Sequence, residues 1–180
     1  MNPDQIERLE EVTQSMVIQA LSDYKDKAVE IFRNETDKAQ DLAEDVTREA
    51  IDEMRLPRID IRLYGKVDVK KAIYAFLPDA IPVALMLDAK TEEHNDTTAT
   101  IQMGQTSMRV RMIQKKKPIG EAGLLTTTIE SEGRALQTVT ILAKYVYHGL
   151  KPGYGLDKIL VVCLPNSLSL IHISEPTRPY

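Results

Sequence analysis

Residues 83–90 read Val83-Ala84-Leu85-Met86-Leu87-Asp88-Ala89-Lys90, an apolar run that ends abruptly in charge. An apolar stretch of this length without alternation is expected of a central strand covered on both faces. Asp88 and Lys90, two residues apart, fall on one face of such a strand. Just upstream, Leu77-Pro78-Asp79-Ala80-Ile81-Pro82 carries two prolines and an aspartate, which is turn chemistry. Residues 59–76 before it read as one or two strands, with Gly65 at a bulge or break. The pattern predicts an antiparallel hairpin whose second strand ends in Asp-Ala-Lys.

Outward from the hairpin, the N-terminal third has helical spacing. Ile6, Leu9, Val12, Met16, Ala20, Tyr24, Ala28 and Ile31 recur every three or four residues across 4–33. A second helix fits 36–55 through Ala39, Leu42, Val46, Ala50 and Met54, with Thr36 as N-cap and an end before Leu56-Pro57. Each helix is expected to pack its apolar stripe on a sheet, a coiled-coil partner being the alternative. C-terminal to the hairpin, Glu92–Thr98 reads as loop. Residues 107–113 read as a half-exposed strand with Arg109 and Arg111 on one side. Residues 137–148 place Val139, Ile141, Ala143, Tyr145 and Tyr147 on one strand face, and 159–164 read as a buried strand after the Lys151–Gly155 turn. Helices followed by a mainly mixed sheet give an α/β (α+β) layered domain spanning 1–167, helical over 1–57 and mainly sheet over 58–167. Leu168–Tyr180, LSLIHISEPTRPY, resembles the translated read-through of a sequencing adapter. It is set aside as non-native, and the natural C-terminus is expected to be missing.

Composition narrows the function classes. At 180 residues, 43% hydrophobic and 28% charged, the chain suits one soluble globular domain and not a disordered one. Its apolar runs are far shorter than the roughly 20 residues of a membrane span, and the acidic N-terminus has no signal-peptide h-region. The single cysteine, Cys163, has no internal partner for a disulfide, and a reducing cytoplasm is the expected setting. The net charge of −4 hides an asymmetry, with −8 over residues 1–57 and +4 over 58–180. The basic excess lies mostly in 58–117. It suits phosphate contacts, though an acidic helical face beside an average remainder would give the same balance.

A D-x-K tripeptide occurs three times, at Asp23–Lys25, Asp68–Lys70 and Asp88–Lys90, and alone says little. The first lies on a charged helix. Geometry orders the rest. A turn centred near residue 79 pairs positions summing to about 158, so that Asp68 opposes Lys90, or Asp88 if the sum is 156. Either even register would put Asp68, Asp88 and Lys90 on one face, whereas an odd register would scatter them. Asp79, the literal Pro-Asp, would sit at the hairpin tip, roughly 30 Å from Asp88 at about 3.3 Å per residue, too far to share a metal. Two close carboxylates ask for a cation, and two carboxylates plus the Ala89 carbonyl suit Mg²⁺. Such a metal acidifies water and neutralises phosphate charge, and Lys90 adds a cation for the transition state. The expected chemistry is phosphodiester hydrolysis by Asp68, Asp88 and Lys90. A surface salt-bridge cluster would use the same residues.

EEVTQSMVIQALSDYKDKAVEIF, LAEDVTREA, VDVKK, LMLDAK and KILVVCLP together resemble the SfiI-type restriction endonucleases, type II enzymes of the PD-(D/E)xK superfamily, over about residues 10–168. The resemblance is weak between about 91 and 135. It implies a restriction-endonuclease-like core, Asp68 and Asp88 as metal ligands and Lys90 as the catalytic lysine. It further implies a homotetramer cutting double-stranded DNA at two copies of an interrupted, GC-rich palindrome, with a partner DNA methyltransferase. Glu44 or Asp45 of LAED would help position water or a second metal, with helix surface or packing as the plainer role. Arg109 and Arg111, and Lys115, Lys116 and Lys117 in a loop, are candidate DNA contacts, as are Gln102 and Gln105. Solvated surface is the competing reading for each. His94, His148 and His172 lack metal-ligand spacing. The alternatives are a phage or repair nuclease on the same core, and a non-catalytic helical interaction protein.

Overall fold

The structure, a computed structural model, describes residues 2–59, 72–94, 110–114, 117–121 and 127–164. Three helices come first: α1 (Pro3–Asp23), α2 (Lys25–Asn34) and α3 (Ala39–Asp52). The strands follow: β1 (Ala72–Phe76), β2 (Val83–Glu93), β3 (Val110–Gln114), β4 (Lys117–Glu121), β5 (Thr128–Ser131), β6 (Arg134–Gly149) and β7 (Tyr154–Leu164). The main sheet is mixed. β2 pairs antiparallel with β1 on one side and parallel with β6 on the other, and β6 carries β5 and β7 on its far edge. β3 and β4 form a separate two-stranded ribbon.

The expected central strand is present and longer than the apolar run. Residues 83–89 of β2 are buried without alternation because both faces are covered. Val83, Leu85, Leu87 and Ala89 face the helices, together with Val139, Ile141, Ala143 and Tyr145 of β6. Ala84 and Met86 face the other way, into a smaller cluster with Ile73, Ile129 and Leu136. All three helices therefore lie on one side of the sheet. Beyond the small cluster, the opposite side carries buried polar groups, among them Thr138, Thr140 and Asp88.

The helices differ from expectation at their ends. Asn2 and Gln5 form a capping box around Pro3, which satisfies two N-terminal amides of α1. The predicted first helix is broken at Tyr24, whose ring is buried and whose hydroxyl donates to Glu49 of α3. Holding that side chain between α1 and α3 redirects the axis without any glycine or proline. The second helix starts at Ala39 with Lys38, not Thr36, at the N-cap, and it stops at Asp52 before a turn in which Arg55 takes φ 56°. Both helices pack on the sheet as expected. At the centre of that packing, the Phe32 ring stacks on Tyr145 with 5.7 Å between centroids, and the Tyr145 hydroxyl meets Thr47 Oγ1 at 2.7 Å. Burial pushes the Tyr145 hydroxyl pKa up.

Two strand expectations need correction. β7 is not a buried strand: it is the edge of the sheet, with Leu160 and Val162 each 37% exposed on the helix-free side. β2 continues through Glu93 where a loop from Glu92 was expected, because its parallel ladder with β6 runs to Glu93–Tyr147. β5 has no counterpart in the sequence reading. It is joined to β6 by Glu132 and Gly133, both at positive φ. The β6–β7 turn is set by Gly153, at φ 76°, which packs so closely on the end of α2 that a Cβ there would lie 2.7 Å from the Phe32 carbonyl oxygen.

Candidate active site

The β1–β2 connection forms the expected hairpin, with a 3₁₀ turn at Pro78–Ala80 and Ala80 at φ 63°. Phe76 pairs with Val83 and Ala72 with Leu87. Every partnered pair thus sums to 159, an odd register, and the even register expected from the sequence is overturned. The reason is local. The loop holds six residues, Leu77–Pro82, so its centre falls between Asp79 and Ala80 and not on Asp79. A half-residue displacement of the centre reverses the parity of every pair. The argument that carried Asp68 to the face of Asp88 therefore does not hold on register. Asp68 itself lies outside the described residues. The exclusion of Asp79 stands on backbone position: it occupies the turn, at the end of β2 opposite to Asp88, whereas Asp88 lies five residues beyond Val83.

Asp88 and Lys90 do share a face, and it is the one without helices. Their side chains meet there: Lys90 Nζ donates to Asp88 Oδ1 at 3.2 Å and lies 3.1 Å from Oδ2. Asp88 is only 9% exposed, and among the described residues its Oδ2 is buried with no hydrogen-bond partner. The Lys90 ammonium thus lies against both oxygens as an ion pair and makes its hydrogen bond to Oδ1. A carboxylate this buried, with one hydrogen bond and one ion-pair contact among the described residues, keeps acceptor capacity for a further cation. Hard oxygen donors beside an open carboxylate fit Mg²⁺, and the donor set is consistent with that ion. Among the described residues no three His, Cys, Asp or Glu side chains converge to hold a metal.

The neighbours on this face are also charged. Lys144 of β6 is the parallel partner of Lys90 and forms an ion pair with Glu92, both side chains largely buried. Thus Asp88, Lys90, Glu92 and Lys144 form one alternating-sign surface at the carboxyl end of β2, the end at which open α/β sheets bind ligands. Sequence reasoning did not find Lys144, because only the parallel register brings it to Lys90.

Behind the pair, the Ala89 carbonyl accepts a hydrogen bond from Gln40 Nε2 at 2.9 Å. This occupies one lone pair of an oxygen that has two. Gln40 Oε1 in turn accepts from the Thr91 amide at 3.2 Å and from Thr91 Oγ1 at 3.3 Å. Glu44 does not reach Asp88 by any hydrogen bond; its Oε1 accepts the other Nε2 hydrogen of Gln40 at 2.9 Å. Asp45 pairs with Arg48 on the exposed side of α3.

Of the candidate DNA contacts, Arg111 stands on β3 opposite Gly120, and Lys117 begins β4 opposite Gln114 and is not in a loop. Arg109, Lys115, Lys116, Gln102, Gln105 and His172 lie outside the described residues. His94 and His148 both bind Asp157 through Nδ1, at 2.7 and 2.8 Å, and tie the exits of β2 and β6 to β7. No helix among the described residues is long and apolar enough to cross a membrane.

Comparison with known proteins identifies the family and the fold. The family described as "Type II restriction enzyme SfiI" matches residues 8–174. The type II restriction enzyme SfiI of Streptomyces fimbriatus is 29% identical over 181 residues, which cover 91% of this chain and 66% of that protein. Among solved structures, tetrameric restriction endonuclease SfiI bound to cognate DNA is similar with a TM-score of 0.75 at 23% identity, over 93% of this chain and 68% of the other. Restriction endonuclease BglI bound to its DNA recognition sequence is similar with a TM-score of 0.70 at 12% identity, over 92% and 74% of the two chains. At these identities the structural likeness establishes the fold, a restriction-endonuclease-like mixed α/β core. The chain spans just under two-thirds of the length of the curated relative it matches.

Proposed function

Because the chain belongs to the SfiI family of type II restriction enzymes, we propose that it is a Mg²⁺-dependent, site-specific deoxyribonuclease that hydrolyses phosphodiester bonds in both strands of DNA. The observation that carries this reading is the Asp88–Lys90 pair at the carboxyl end of β2, with a buried carboxylate oxygen open to a cation. Asp88 and the second lone pair of the Ala89 carbonyl are the ligands proposed for the metal. Asp68 is the proposed second carboxylate, on the family resemblance and no longer on hairpin register. Bound there, Mg²⁺ would supply charge neutralisation at the scissile phosphate and a more acidic water.

The chain's own groups do the rest. Asp88, nearly buried, holds the Lys90 ammonium at one place on the face opposite the helices, so the cation is already oriented when a phosphate arrives. Lys90 then stabilises the negative charge that builds on the phosphate oxygens as the attacking and leaving oxygens exchange. Lys144, held by Glu92, adds a second cation beside it for a neighbouring phosphate. Arg109, Arg111 and Lys115–Lys117 are the proposed outer DNA contacts. An interrupted GC-rich palindrome, a homotetramer, a cytoplasmic setting and a partner methyltransferase complete the proposal. The homotetramer and the DNA partner are supported by the DNA-bound, tetrameric state in which the SfiI relative was crystallised; the palindrome, the setting and the methyltransferase rest on the family resemblance.

The test is digestion of plasmid and phage DNA with the purified chain in Mg²⁺, compared with EDTA. Discrete, reproducible fragments in Mg²⁺ alone are expected. Smears or nicks would replace site-specific cutting by a less selective nuclease, and full activity in Asp88→Ala would sink the site assignment. A methyltransferase gene beside this one is the accompanying genomic expectation.

A further inference from the structure

A strand in a sheet is held straight by the peptides of its neighbours. On the β1 side of β2 the ladder among the described residues runs to Ala72–Leu87, two residues before the peptides that carry Lys90. The edge at 89–91 is closed by a side chain. Gln40, in the first turn of α3, accepts from the Thr91 amide and donates to the Ala89 carbonyl, as a peptide group on an adjacent strand would. These two backbone groups belong to the two peptide units that flank Lys90. One carboxamide therefore grips the chain on both sides of that residue, and fixes the direction in which its side chain leaves the strand.

The orientation of the carboxamide is itself determined. Nε2 has two hydrogens, and they go to Ala89 O and Glu44 Oε1. Oε1 has two lone pairs, and they receive the Thr91 amide and hydroxyl. Turning the group over would set its NH₂ against the Thr91 amide and its oxygen against two acceptors, so that only the Thr91 hydroxyl, which can also accept, could keep a bond. Glu44 thereby acts through Gln40.

We propose that Gln40 is a positioning residue of the active site, locking the two peptides around Lys90 so that the Ala89 carbonyl and the Lys90 ammonium are presented in fixed directions. This rests on the reading of Asp88 and Lys90 as the catalytic pair. Loss of such an orienting partner typically costs about 10- to 100-fold in metal affinity or activity.

The test uses the full chain and Gln40→Met, which keeps the length of the side chain and removes all four bonds, beside Gln40→Glu, which keeps an acceptor for Thr91 but not the donor to Ala89. In Gln40→Met the Thr91 amide should exchange with solvent at least about tenfold faster, while amides of Ile141 and Ala143 in β6 keep their protection. The Mg²⁺ concentration giving half-maximal cleavage should rise about tenfold with KM for DNA unchanged, and calorimetric Mg²⁺ binding should weaken in step. Gln40→Glu should restore Thr91 protection without restoring the Mg²⁺ response. Unchanged Thr91 exchange in Gln40→Met, or a changed KM for DNA with an unchanged Mg²⁺ response, overturns the proposal. Failure of the underlying reading has a separate signature: the unaltered chain does not cleave, or Asp88→Ala still does. Thr91 exchange then decides whether Gln40 holds the strand edge independently of catalysis.

Discussion

Replacing Asp88 by asparagine should make the metal-free protein more stable and the enzyme inactive. The side chain is nearly isosteric, so packing around it is kept and only the charge changes. Asparagine leaves a polar atom at the Oδ2 position, so what it removes is the desolvation penalty of the anion, about 1–3 kcal/mol or more for a carboxylate only 9% exposed. Against this stands the attraction to Lys90, whose side chain is 25% exposed, a setting in which an ion pair returns about 0–1 kcal/mol. The difference favours asparagine by about 1 kcal/mol in EDTA, a rise in Tm of about 2–4 °C for a chain of this size. Magnesium should reverse the order. With a dissociation constant of about 1 mM, about 10 mM Mg²⁺ stabilises the unaltered chain by about 1.4 kcal/mol and the variant by nothing comparable. Thermal unfolding followed by circular dichroism in EDTA and in Mg²⁺, beside DNA cleavage, gives all four values. If asparagine costs about 2 kcal/mol or more in EDTA and Mg²⁺ shifts both proteins equally, Asp88 is a structural partner of Lys90 and the metal reasoning is wrong.

Tyr145→Phe keeps the stack on Phe32 but removes the partner of the buried Thr47 hydroxyl, and should cost about 1–2 kcal/mol in urea unfolding without altering cleavage. Gly153→Ala places a side chain at positive φ against the carbonyls that end α2, and should cost more than about 1–2 kcal/mol by the same measurement. The Asp157 carboxyl is disfavoured as an anion by partial burial, but hydrogen bonds from His94 and His148 outweigh this and hold its pKa below the usual carboxylate range. A lowered folded-state pKa gives stability above the ordinary value, about 3.9, that is lost as pH falls through the folded value. Asp157→Asn should therefore flatten the dependence of unfolding free energy on pH below about 4, and an unchanged acid limb would contradict the contact.

The parts of this fold that are legible in the sequence are those where one face or both faces of an element are dry. Residues 83–89 announce a central strand because burial on both sides leaves no solvent to impose alternation. Val139 to Tyr147 announce one dry face in the same way. β5 carries no such mark: Thr128 and Glu130 point to water, and only Ile129 is buried. The break at Tyr24 is equally silent, since it depends on a contact with Glu49 formed only after α3 has docked. For the site, adjacency along a strand is visible and adjacency across strands is not. Asp88 and Lys90 follow from their spacing alone. Pairing across the hairpin depends on where the turn is centred, and half a residue is enough to invert it. Gln40 and Lys144 reach the pair through α3 docking and the parallel β2–β6 register, which no periodicity encodes.

That parallel register also settles where the middle of the chain must go. β2 leaves the sheet at the end bearing Lys90, and β6 must begin level with Val83, at the opposite end. Covering that distance needs only about ten extended residues, whereas about forty separate the two strands. Most of the excursion is thus surplus to closing the sheet and is rooted beside the catalytic strand. On the proposed function, change in that excursion would alter contacts outside the sheet while the strand carrying Asp88 and Lys90 is left as it is.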